Sequence, residues 1–169
     1  MRIEDKVTDF KFLNIKKIVD PDNNVQGYFF AERLGTDSVA FICYDARSSK
    51  FLVNNEYKPP IDEFILGAFG GSLDKDRTPE EIVIAEVKEE AGFRVNQNDV
   101  KYVGKAFVST QMNQFCHLFL VYVDRDKQEE REPENAVEAM AETQWISQQE
   151  VWKLDDWKAI AILGKSELR

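Results

Sequence analysis

Two stretches of this chain are almost wholly apolar, and strands of that kind can go only to the middle of a sheet. Val39 to Tyr44 reads VAFICY, and Phe115 to Asp124 reads FCHLFLVYVD. A strand with one wet face alternates apolar and polar residues, whereas a run without alternation is buried on both faces. The remaining elements are read around them. Residues 10–19 begin with alternating apolar positions and predict a strand. Asp20-Pro21-Asp22-Asn23-Asn24 is a dense turn signal, and Val25 to Leu34 returns as the partner strand. This pair forms a hairpin-like N-terminal extension, ended by Gly35-Thr36-Asp37. Further strands are expected over 51–57, stopped by Pro59-Pro60, and over 64–69, closed by Gly70-Gly71. Others are expected near 100–108 and 143–146.

Helix signals are local and sharp. Thr78-Pro79-Glu80-Glu81 offers a cap, a proline suited to the first turn and a glutamate that completes a capping box. That helix is expected to run to Ala91, with Gly92 as its stop. Ser147 and Glu150 form a second box opening a closing helix over 147–163, with Trp145, Trp152 and Trp157 packing it against the sheet. Asp126 to Glu138, DKQEEREPENAVE, reads as a mobile acidic loop. Strands and helices mix without regular βαβ alternation. The expected class is therefore α+β, one domain over 1–169 with helices on both sides of a mixed sheet.

Composition narrows the partners. With 22 Lys plus Arg against 31 Asp plus Glu, the formal charge is −9, which disfavours non-specific nucleic-acid binding. An anionic substrate remains compatible, because a bound cation inverts the local sign. Cys43 and Cys116 sit in apolar runs and read as buried free thiols. No apolar stretch approaches the roughly 18 residues of a membrane span. The charged N-terminus lacks a signal-peptide core, so a cytoplasmic location is expected.

The chemistry concentrates on the first helix. At about 100° per residue, Val83, Ile84, Val87 and Ala91 share one arc, and Glu86, Glu89 and Glu90 share the adjoining arc. Like charges at such spacings cost a few tenths of a kcal/mol per pair, roughly. Lys88 lies on the outer face and does not relieve them. A divalent cation would, and Mg²⁺, which takes oxygen ligands and bridges carboxylates to phosphates, is the natural candidate. The preceding Gly70-Gly71 allows close approach of backbone to a ligand.

Residues 70–93, GGSLDKDRTPEEIVIAEVKEEAGF, resemble the Nudix box, which joins a glycine, a glutamate and a closing run R-E-U-x-E-E-x-G-U, U being a bulky apolar residue. Gly71 takes the first position. Glu86, Val87, Glu89, Glu90, Gly92 and Phe93 take the last ones in register. The resemblance implies an α/β/α sandwich and a diphosphate hydrolase. It implies that Glu86, Glu89 and Glu90 hold Mg²⁺ or Mn²⁺, with the Gly70 carbonyl as a further ligand. The general base is a box glutamate or an acid from the later segment: Glu138 first, then Glu134 or Glu142. The family's first glutamate falls on Arg77 and its arginine on Ala85. Two outcomes are open: a rearranged site in which Arg77 meets a substrate phosphate, or a weakened one.

Outside the box, FLVNNEYKPPIDEFILGAFGG is similar to the ADP-ribose and nucleotide-sugar branch of that family. Lys58 stands where an arginine is common there, keeping the charge but losing the bidentate fork. The strands over 10–34 resemble that branch's N-terminal strands, which implies a homodimer. Its loop proline and acid are replaced by Ser109 to Gln114. The expected function is hydrolysis of the diphosphate linkage of ADP-ribose or a nucleotide sugar, a small-molecule nucleotide. The alternatives are a catalytically weak module that binds a nucleotide as a regulator, and an RNA-cap hydrolase, which the acidic balance opposes. Tyr28, Phe29 and Phe30 read as strand packing rather than a base stack, and His117 as a packed strand residue.

Overall fold

A computed structural model describes residues 3–33, 37–73 and 76–168. Leu34, the turn residues Gly35 and Thr36, and Asp74 and Lys75 of the box lie outside the described residues. The elements in chain order are β1 (Ile3–Lys6), β2 (Leu13–Asp20), β3 (Val25–Arg33), β4 (Ser38–Asp45), β5 (Lys50–Lys58), β6 (Glu63–Gly67), β7 (Phe69–Ser72), α1 (Pro79–Glu86), β8 (Val100–Phe107), β9 (Phe115–Tyr122), α2 (Ala136–Met140), β10 (Glu142–Ser147), α3 (Gln148–Val151) and α4 (Trp157–Lys165). No helix among the described residues is long and apolar enough to cross a membrane.

The two apolar runs are the centre of a mixed sheet ordered β10-β5-β4-β9-β8. They are β4 and β9, and they run parallel from Ser38↔Cys116 to Tyr44↔Tyr122. Along β4 the side chains alternate between two cores. Val39, Phe41 and Cys43 pack with Ile82, Val83 and Val87 of the first helix. Ala40 and Ile42 pack with Val151, Ala159, Ile162 and Leu163 of α3 and α4. The fold is thus α+β, with a helical layer on each face, as the missing alternation requires.

On its other edge β4 divides its pairing. Cys43 to Asp45 pair with β5, while Ser38 to Phe41 pair with β7. The far half of β5, Asn54 to Lys58, pairs with β6. The sheet therefore splits into two arms, and β6 and β7 line the split. The single strand expected over 64–69 is two strands broken at Ala68, and β7 runs on through Gly70-Gly71. The cause is distant in sequence: Asp156 inserts its carboxylate at the break and accepts the Ala68 N–H at 2.6 Å. Only a glycine leaves room for it, since a Cβ on Gly67 would lie 2.4 Å from Asp156 Oδ2.

The two ends of the chain also differ from what their residues suggest. The N-terminal unit is a three-stranded antiparallel sheet, because Ile3–Lys6 pairs with β2, and β2 starts at Leu13 rather than at residue 10. The closing helix is two helices, the second capped by Asp156, which accepts the Lys158 N–H. Trp152 and Trp157 are 49% and 40% exposed rather than packed inward. Trp145 packs on the opposite face from the closing helices, edge-on to Phe93 at 6.3 Å in the core of the first helix.

Phe41 is fully buried and stacks on Phe69 at 5.0 Å. Phe41→Ala is expected to cost about 3–5 kcal/mol, read as a lower urea midpoint. A loss below about 1 kcal/mol would contradict the central place given to β4.

Candidate active site

The first helix starts as its residues direct. Thr78 Oγ1 accepts the Glu81 N–H at 3.2 Å, and Glu81 Oε2 accepts the Thr78 N–H at 2.7 Å. Its end departs from a plain α-helix. Val87–Ala91 form a π turn, with the Gly92 N–H donated back to the Val87 carbonyl and Gly92 at φ 73°. Such wide turns recur at functional positions. Here Glu90 is only 8% exposed, while Glu86 and Glu89 are half-buried and face a cleft.

That cleft has a volume of about 370 Å³. Gly70, Gly71 and Ser72 of β7 form its floor, and Ala85, Glu86 and Glu89 form one wall. Arg77, Glu134 and Glu138 complete the lining. Gly71 keeps the Glu86 carboxylate in place: a Cβ there would lie 2.2 Å from Glu86 Oε1 and push it aside. Glu90 lies beside the cleft, its Oε2 accepting the Gly70 N–H over a long 3.4 Å. In an extended strand the N–H and C=O of one residue point to the same edge, so the Gly70 carbonyl faces the split as well.

Crowded carboxylates with little water hold their protons. Burial first, then the charges of Glu86 and Glu56, push Glu90 up to about 8. Burial, then Glu89, Glu138 and Glu134, push Glu86 up to about 7, with Arg77 opposing. Glu89 is raised too, by burial and by Glu134. Among the described residues no three His, Cys, Asp or Glu side chains form a ready-made metal cage. The donor set nonetheless fits a hard cation: it is all oxygen, and a nearly buried carboxylate with one long hydrogen bond is under-satisfied.

The acidic segment expected to be mobile is tied to the end of the helix. The Glu129 N–H donates to the Gly92 carbonyl at 2.7 Å, and the Glu132 N–H to the Glu89 carbonyl at 2.9 Å. Ion pairs Lys88–Glu132 and Arg94–Glu129, both at 2.8 Å, flank these bonds. The segment then forms α2, whose Glu138 is oriented by its own cap. Glu138 Oε2 accepts the Glu134 N–H at 2.8 Å, and Oε1 accepts from Asn135 Nδ2. Glu142 opens β10 opposite Asn55 and is not among the residues lining the cleft.

Lys58 does not line this cleft. It pairs with Glu56 at 2.6 Å, in a second recess of about 250 Å³ that shares Gly70, Gly71 and Ser72. Arg33 and Lys158 line the same recess. Neither was visible in the sequence, since each closes or opens an element whose neighbours lie far along the chain. Glu56 carried a faint signal, being two residues from Lys58 on one strand face. His117 lines neither cavity, its Nε2 lying 3.3 Å from Asp37 Oδ2. Phe30 is buried at 7% exposure, whereas Tyr28 and Phe29 are exposed. The thiols of Cys43 and Cys116 are free and buried.

A model of the NUDIX domain matches residues 35–163. No sequence among curated proteins matches. A solved structure described as "Crystal structure of ADP compounds hydrolase" superposes with a TM-score of 0.75, covering 97% of this chain and 89% of that one, at 14% identity. At that identity the likeness is one of fold.

Two outcomes follow from the site. Gly71→Ala meets the movable end of Glu86 rather than backbone. It is expected to displace that carboxylate and leave thermal stability within about 1 kcal/mol, while metal affinity measured by titration falls. Glu86 and Glu90 are raised above their usual 4.5. The folded chain therefore holds more protons than the unfolded one from about pH 4.5 to about 8, and stability falls as pH rises through that window. In EDTA, the melting temperature is expected to drop over this range, and less so in Glu90→Gln. Equal slopes would remove Glu90 as a source.

Proposed function

The chain belongs to the Nudix hydrolase family, and from that membership we propose that it cleaves the diphosphate linkage of ADP-ribose or a nucleotide sugar with Mg²⁺, or Mn²⁺ in its place. One observation carries the reading. Glu86, Glu89, Glu134 and Glu138 converge with Arg77 on one cleft, over a floor of glycine backbone, with Glu90 beside it. The solved structure described as an ADP compounds hydrolase supports the same substrate class.

Glu86, Glu89 and Glu90 would hold the ion, with the Gly70 carbonyl as a further oxygen. A divalent cation bound there supplies charge neutralisation of the diphosphate and activation of a water. The protein's own groups do the rest. The side-chain-free floor at Gly70-Gly71 lets a diphosphate lie against backbone. Arg77 meets a phosphate oxygen and offsets charge in the transition state. Glu138, fixed by its hydrogen bonds to Asn135 and Glu134, accepts the proton of the attacking water. Lys58 reaches the substrate from the neighbouring recess.

We read the N-terminal sheet as a homodimer contact, supported by Phe10, Phe12 and Phe29, which are 69%, 66% and 54% exposed. A cytoplasmic site agrees with the two free thiols. A regulatory module that binds nucleotide without turnover is the second reading. Ala85 favours it, because it puts a methyl group in the cleft wall where the family places an arginine.

Phosphate release after phosphatase coupling, over ADP-ribose, nucleotide sugars, NADH, diadenosine polyphosphates and nucleoside triphosphates, tests both. Metal-dependent turnover of one class, reduced on the order of 100-fold in a folded Glu90→Gln, is the expected result. Nucleotide binding without turnover of any compound would replace the hydrolase with the regulator.

A further inference from the structure

We propose that the recess across β7 from the acidic cleft is a phosphate subsite, and that the conjugate taken by this protein carries an additional phosphate on its sugar half. The second clause rests on the hydrolase reading above; the first does not.

The recess opens on the α4 side of the sheet, since its residues Ala68 and Cys116 belong to the core formed with that helix. Three cations from three separate elements meet there: Arg33 at the end of β3, Lys58 at the end of β5 and Lys158 in the first turn of α4. In a chain of net charge −9, such a gathering is not a consequence of composition. It is also uphill. Like charges repel, and a cation near a helix N-terminus opposes the positive end of the helix dipole.

The local carboxylates relieve this only in part. Glu56 pairs with Lys58 at 2.6 Å. Asp156 is committed elsewhere, to the Ala68 N–H at 2.6 Å and the Lys158 N–H at 3.2 Å. Its Oδ1 is 3.8 Å from Lys158 Nζ, too far for a hydrogen bond. Arg33 donates Nη2 to the Ser72 hydroxyl at 2.7 Å, and no carboxylate pairs with it among the described residues. A guanidinium held by a neutral hydroxyl, in one recess with an ammonium that has no acceptor within hydrogen-bond distance among the described residues, is suited to a phosphate, which takes several charge-assisted bonds at once.

Position gives the substrate clause. The recess and the cleft share Gly70, Gly71 and Ser72. A diphosphate over that floor on one side leaves the far half of the conjugate to reach the other. The volume of about 250 Å³ holds a sugar-phosphate-sized group.

Calorimetric titration in EDTA, with ribose 5-phosphate and with ribose as probes, isolates the recess from the carboxylate cleft. Ribose 5-phosphate is expected to bind and ribose not. Arg33→Gln and Lys158→Gln should each weaken binding by about tenfold, the loss of one charge-assisted contact, while Arg77→Gln should not. Absent binding, binding equal for both probes, or binding lost only in Arg77→Gln overturns the subsite. A second arm compares turnover of paired conjugates with and without the extra phosphate. Faster turnover of the phosphorylated member, with the ratio collapsing in Arg33→Gln and Lys158→Gln, is expected. Equal turnover overturns the substrate clause, and no turnover of either with ribose 5-phosphate still bound sinks the hydrolase reading and leaves the subsite standing.

Discussion

A strand that can show neither face to water decides most of this architecture. Phe41, Ile42 and Cys43 are fully buried, and they point alternately into two cores. Each core has to be closed by helices, so the first helix takes one side and α3 with α4 the other. Because β4 also changes partner midway, from β5 to β7, the sheet cannot stay continuous. The opening thereby made between its arms is where the polar residues collect. Packing thus comes first, and the site occupies the place packing leaves.

Charge is sorted across that opening. Carboxylates gather on the side of the first helix, and Arg33, Lys58 and Lys158 on the side of α4. Between them lies β7, whose Gly70 and Gly71 present backbone alone. A field with opposite signs on the two sides of so thin a partition orients a polar molecule lying across it. The same sorting keeps the two sets from neutralising one another. Direct pairing would have collapsed both cavities, and Glu56 pairs with Lys58 inside the recess rather than across the partition.

What could be read from the residues was whatever is local. The boxes at Thr78/Glu81 and Ser147/Glu150 lie within four residues of themselves and appear as expected. Gly92 stops its helix for the same reason, as do the prolines after Lys58. The glutamates of the first helix were visible as neighbours because helical spacing is a local property. Their unequal burial was not, because it depends on the π turn. The break at Ala68 was invisible too, its cause lying 88 positions away. The acidic segment looked solvated because its anchors, the carbonyls of Gly92 and Glu89, belong to backbone that sequence does not advertise. β1 was missed because Ile3–Lys6 is mostly charged, and Arg33 and Lys158 because nothing in either neighbourhood points to the other.

Asp156 carries a consequence for the order in which the molecule can be assembled. Its carboxylate holds open the joint between Gly67 and Ala68, and it is brought there from 88 positions away when α4 docks. Before α4 docks, the chain has the glutamates, the glycines and the capped helix, yet no wedge to bend β6 away from β7. Its central apolar strands also lack cover on one side. The local elements that border the site can thus form before the site itself, which takes its shape only when that contact is made.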